Sequence, residues 1–131
     1  MNKDIAIKWY KQALHDLEMA EKNIDIGGYD VSASLSHQAV EKLLKALLAF
    51  GGRRIPKIHH LDQLAETLGL NESLIEIVYD LTGDYIFTRY PDVSSFIPYE
   101  EYTKERALTK LKIAQRIFSE LKSRWEKLEE S

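Results

Sequence analysis

Proline occurs at only three positions, Pro56, Pro91 and Pro98, all between Gly51 and Thr103. Proline lacks an amide hydrogen and clashes with the preceding turn, so it is the residue that most strongly interrupts a helix. The chain before Pro56 and after Pro98 is therefore open to long helices. Apolar residues there recur every three or four positions, as a helix with one buried face requires. Ile5, Trp9, Ala13, Leu17, Ala20 and Ile24 predict a helix over 3–26, ended by Gly27-Gly28. Leu35, Ala39, Leu43, Ala46 and Phe50 predict a second, capped by Asp30 and ended by Gly51-Gly52. Val40, Leu44, Leu47 and Leu48 widen its stripe to most of the circumference, so this helix is either central or shared with a partner chain.

The remainder is more broken. A short helix over 60–68 is expected after the Pro56 connector, ended by Gly69. Asn71 can cap a fourth helix through Thr88, with Tyr85 on its inner face, and Thr103 can cap the last. No stretch alternates with period two. The expected fold is all-α: one domain over 1–131, an antiparallel up-and-down bundle of four long helices plus one short helix. The link Arg89-Tyr-Pro-Asp-Val-Ser-Ser-Phe-Ile-Pro-Tyr-Glu-Glu-Tyr102 is long and aromatic. It is either a strap over the bundle end or a binding loop.

Composition removes several chemistries. With no cysteine there is no disulfide, thiolate zinc site, iron–sulfur cluster or cysteine nucleophile. A net charge of −3 argues against a broadly basic nucleic-acid coat while leaving a local basic groove open. Apolar runs are far too short to span a bilayer, and Met1-Asn2-Lys3-Asp4 does not begin a signal peptide, so a cytoplasmic protein with no membrane partner is expected. There is no phosphate-binding glycine loop, no HExxH and no serine elbow. His37 and Glu41 share one helical face. With His59 or His60 they admit a metal site on paper, but a polar contact explains the spacing equally well, and no metal or cofactor is assigned.

Two blocks carry the sharper signal: His37-Gln-Ala-Val-Glu41-Lys42 running on to Gly52, and Tyr85-Ile-Phe-Thr-Arg89-Tyr90-Pro91-Asp92. With the order of elements, they resemble the HEPN domain (higher eukaryotes and prokaryotes nucleotide-binding) over nearly the whole chain. The resemblance implies a helical bundle, commonly a homodimer. Small members of this kind are often encoded beside a minimal nucleotidyltransferase, in pairs that look like toxin–antitoxin modules. It also implies, for active members, a metal-independent ribonuclease whose motif is an arginine, four to six residues, then a histidine. Here the positions after Arg89 hold Ser94, Ser95 and Phe96, none an acid–base imidazole. Arg54 and His59 fit the spacing but lie in the wrong connector. No catalytic residue is assigned.

Arg89 retains a planar fork suited to phosphate or carboxylate. Tyr85 lies one turn before it and Tyr90 follows, rings fit for stacking on a nucleotide or single-stranded base. Lys42 and Lys45 could add charge. The candidate ligand-binding set is thus Arg89, Tyr90, Tyr85, Asp92, His37, Glu41, Lys42 and Lys45. The expectation is a homodimeric nucleotide- or partner-binding module, with a nucleotidyltransferase, a nucleotide or RNA as partner. The alternatives are a ribonuclease with a degenerate motif and a purely structural interaction bundle in which Arg89 is tied to nearby carboxylates.

Overall fold

A computed structural model describes residues 3–93 and 95–130, with Tyr85 described by its backbone alone. These residues form eight helical segments: α1 (Lys3–Asp25), α2 (Tyr29–Phe50), α3 (Leu61–Thr67), α4 (Glu72–Thr82), α5 (Asp84–Arg89), α6 (Pro98–Glu101), α7 (Lys104–Glu120) and α8 (Lys122–Glu129). The fold is all-α as expected. The expected count of four long helices plus one short one is wrong. The fourth helix breaks at Gly83 into α4 and α5, and the last breaks at Leu121 into α7 and α8. At Leu121 the backbone departs from helical ψ (φ −97°, ψ 9°), which redirects α8 while leaving Leu121 itself in the core. A further single turn, α6, forms inside the aromatic link, started by Pro98 at its first position, where the missing amide hydrogen costs nothing.

Several local signals act as the residues dictate. Gly27 and Gly52 take positive φ (80° and 77°), a conformation that glycine adopts without a steric penalty, and they end α1 and α2. Asn71 accepts from the Leu74 amide and Thr103 from the Arg106 amide, satisfying donors that the first helical turn leaves open. The expected cap at Asp30 is a correction: Gly28 is the cap residue, without a side-chain bond, and Asp30 lies in the first turn of α2.

α2 is the axis of the molecule. It packs against each of the other seven helices. Its fully buried leucines, Leu43, Leu44 and Leu48, meet Ala6 and Ala13 of α1, Leu61 and Leu64 of α3, Val78 and Leu81 of α4 and Ile117 of α7 in one core. Burying one such leucine contributes about 1.5–3 kcal/mol. The wide apolar surface read from the sequence is thus used inside one chain. No helix among the described residues is long and apolar enough to cross a membrane.

Candidate functional site

The polar residues of α2 sit in the same helix as the core leucines, so their side chains are carried inward. His37, Glu41 and Lys45 repeat every four residues and form a buried ladder on one face. Lys45 Nζ donates to Glu41 Oε2 at 3.0 Å and lies 5.5 Å from the Trp9 ring. His37 Nδ1 lies 3.8 Å from Glu41 Oε1. The connector between α2 and α3 closes over this ladder. His59 Nδ1 stands 3.1 and 3.2 Å from the two Glu41 oxygens, and the His59 carbonyl accepts from His37 Nε2 at 3.2 Å.

These contacts set proton positions. A carbonyl can only accept, so His37 carries its proton on Nε2. Burial pushes its pKa down to about 4; the Glu41 carboxylate and the bond to His59 oppose this, while the charges of His59 and Arg89 add to it. His37 is therefore a neutral, positioning imidazole at neutral pH. α5, which packs on α2, ends at Arg89, whose charge is felt at His37.

Above it lies a cleft of 310 Å³ lined by Lys57, Ile58, His59, His60, Thr82 and Ile86. Arg89 follows Ile86 by three residues on the same face of α5 and is exposed. Ile58 and Ile86 give the cleft apolar walls; Lys57, His59 and His60 give it donors, and Arg89 lies one turn beyond Ile86. The Thr82 hydroxyl is buried and has no hydrogen-bond partner among the described residues.

The structure divides the eight candidate residues. His37 and Glu41 come together, and Arg89 lies exposed at the end of α5, which packs on the same helix. Lys45 belongs to the same ladder but is buried against Glu41 and Trp9, and Lys42 turns to α1, where its Nζ meets Asp16 Oδ2 at 2.5 Å. Tyr90 and Asp92 are exposed beyond the end of α5. The side chain of Tyr85, like Ser94, lies outside the described residues. No group of three His, Asp or Glu side chains among the described residues is arranged to hold a metal ion.

Of the two connector histidines weighed beside His37 and Glu41, His59 is the ring that sits on Glu41. One feature was not singled out in the sequence, a buried anchor under the aromatic link. The Tyr102 hydroxyl donates to Asp84 Oδ1, Lys110 Nζ lies 3.2 Å from Asp84 Oδ2, and the Arg106 guanidinium covers the Tyr102 ring at 4.4 Å. Burial pushes the Asp84 carboxyl up, against the opposing pull of Tyr102 and Lys110. Tyr102 is the one ring of the link that is buried; Tyr90, Phe96 and Tyr99 are 48%, 61% and 66% exposed. The link is therefore pinned at its far end, while Tyr90, Phe96 and Tyr99 are exposed, as are Ile86, Phe87, Val93 and Ile97.

Comparison with known proteins agrees with the all-helical fold. The HEPN domain family model matches residues 6–125. The crystal structure of TT1696 from Thermus thermophilus superposes with a TM-score of 0.83 at 31% identity, covering 95% of this chain and 99% of that one. ST0689, described as an archaeal HEPN homologue, superposes with a TM-score of 0.75 at 32% identity, covering 94% and 98%. No curated protein matches the chain.

Proposed function

Because the chain belongs to the HEPN domain family, we propose that it is a homodimeric binding module of the cytoplasm. In this reading it holds a nucleotide or single-stranded RNA at the cleft beside Arg89 and works with a minimal nucleotidyltransferase in a toxin–antitoxin-like pair. The observation that supports the reading is the cleft beside the His37–Glu41–His59 cluster, whose wall residue Ile86 lies one turn before Arg89 on α5. A guanidinium and imidazole donors beside apolar walls match a phosphate next to a base. Tyr90 is the exposed ring nearest in sequence to Arg89 and suits stacking. Support for a second copy comes from the exposed apolar surface between Ile86 and Tyr99, since monomers rarely present such a patch without a partner.

Thermal melting tests the ligand. Ligand at 100 times Kd stabilises by about 2.7 kcal/mol if it binds only the folded state. Nucleotides or short oligonucleotides should raise the melting temperature of the wild type and not of Arg89→Ala. No shift with any of them leaves a purely structural bundle. Sedimentation at micromolar concentration tests the dimer, and a clean monomer overturns that part. Co-purification with the product of a neighbouring nucleotidyltransferase gene tests the pairing.

A ribonuclease is the second reading, favoured by His59 and His60 in the cleft whose wall includes Ile86, one turn before Arg89 on α5. It requires cleavage of a mixed RNA by metal-free protein, lost in Arg89→Ala and kept in a surface control.

A further inference from the structure

A second concavity, of 270 Å³, lies at the C-terminal end of α2 and shares no lining residue with the cleft beside His59. Leu47 is buried and Phe50 and Leu68 are half-buried, so they form its apolar floor. Arg53, Arg124 and Lys127 are exposed on its rim. Three cations and no carboxylate thus line one groove, in a chain whose net charge is −3. Elsewhere on the surface cations sit with carboxylates, as Lys22 does with Glu18 and Lys122 with Glu126. Arg53 follows the glycine pair that ends α2, and its Nη1 donates to the Thr67 carbonyl at 2.5 Å. Arg124 Nη1 donates to the Leu68 carbonyl at 3.4 Å. Both carbonyls lie at the end of α3, so one helix end holds both guanidiniums in place. Each bond uses one of the five N–H donors an arginine has. Neither guanidinium is paired with a carboxylate among the described residues.

We propose that this groove binds a small amphiphilic carboxylate: a monoacid whose charged end rests on Arg53 and Arg124 and whose apolar body lies on Leu47, Phe50 and Leu68. The guanidinium fork matches the two oxygens of a carboxylate. The floor takes the hydrocarbon part out of water. The choice of a single negative charge follows from the helices. α2 and α3 both reach the groove with their C-terminal ends, at Gly51 and Leu68. Such ends carry partial negative charge, which offsets part of the arginine field and disfavours a dianion. Size points the same way, since the volume is just below the roughly 300–1,000 Å³ of sites for drug-sized ligands. One short chain or ring fits, and a nucleotide does not. Capping α3 accounts for one donor of each arginine; it accounts for neither the apolar floor nor the missing carboxylates. The site stands independently of the cleft.

The experiment is a titration of the full chain with octanoate at neutral pH, below its micelle concentration, followed by the methyl NMR signals of Leu47 and Leu68. Octylammonium carries the same tail with the opposite charge, and acetate the same head without a tail. Octanoate should shift both leucines saturably, with both controls at least about tenfold weaker. Arg53→Gln and Arg124→Gln should each weaken octanoate about tenfold and leave octylammonium no weaker. If the arginines serve only to hold α3, the two ligands move together, and the proposal is overturned. Should either variant fail to fold, octanoate against octylammonium on the wild type decides alone. Equal binding of the two, or octanoate shifts confined to other parts of the molecule, overturns the site. Tighter binding of octyl phosphate than of octanoate overturns the choice of a monoanion. Saturation by a short peptide ending in a free leucine carboxylate, without saturation by octanoate, overturns the small ligand and gives the groove to a protein partner.

Discussion

His37 Nε2 donates to the backbone carbonyl of His59 at 3.2 Å, so a residue buried in the central helix fixes the path of the connector that carries the exposed ring. Burial, not this bond, keeps the imidazole neutral in the core, since Nε2–H can donate in either protonation state. In the unfolded chain His37 takes a proton at its ordinary pKa near 6.5; in the folded chain it does so only at about 4. The unfolded state therefore binds more protons between these values. Stability is complete above about pH 6.5 and falls as the pH drops towards 4, by on the order of 3 kcal/mol from this group. Urea unfolding of the wild type and His37→Asn across that range checks it. The variant should lose less stability on acidification, and parallel profiles would contradict the assignment.

Removing Glu41 should be costly. Glu41→Ala leaves Lys45, 5% exposed, without its carboxylate and deprives His59 of its anchor. Stranding a buried charge costs about 3–5 kcal/mol. Glu41→Gln keeps hydrogen-bonding capacity and should cost less. Denaturant midpoints of the two variants, compared at neutral pH, give the order directly.

Tyr102→Phe deletes the hydroxyl that pins the aromatic link to Asp84. Leaving a buried carboxylate oxygen short of a donor costs about 1–3 kcal/mol. The effect should be local first. Limited proteolysis should cut between Arg89 and Tyr102 faster than in the wild type, while the α1–α2 pair stays protected.

Gly83→Ala should stabilise. Gly83 has helical angles (φ −67°, ψ −25°), and an added Cβ would meet only the Phe87 ring, at 3.7 Å, an ordinary contact. Alanine restricts the unfolded chain and suits the helical backbone, a gain of about 0.5–1 kcal/mol. A rise in melting temperature is expected, and a fall would mean that the joint between α4 and α5 needs the freedom of glycine.

What could be read in advance follows the range of the forces involved. The stripes of α1 and α2 and the caps at Asn71 and Thr103 depend on neighbours within a turn, and they are legible. The pairing of His37 with Glu41 is legible for the same reason, since four residues bring them to one face. The breaks at Gly83 and Leu121 are not. One residue there has helical angles and the other is a core leucine, so it is packing between helices that bends the chain. His59 on Glu41 and Tyr102 on Asp84 are contacts between elements far apart in the chain, invisible to any local pattern. The breadth of the apolar stripe on α2 correctly marks a central helix, and it reflects seven internal neighbours.

That central placement has a consequence for how such a domain can diversify. The rod that carries the leucines also carries His37, Glu41 and Lys45, so altering the polar ladder strains the packing in the same stroke. Variation in ligand preference is cheapest where the chain leaves the rod: in the short crossing before α3 and in the ring-bearing link ahead of α7. A library confined to those two stretches should yield folded proteins with altered selectivity, whereas one drawn across α2 should yield mostly unfolded ones.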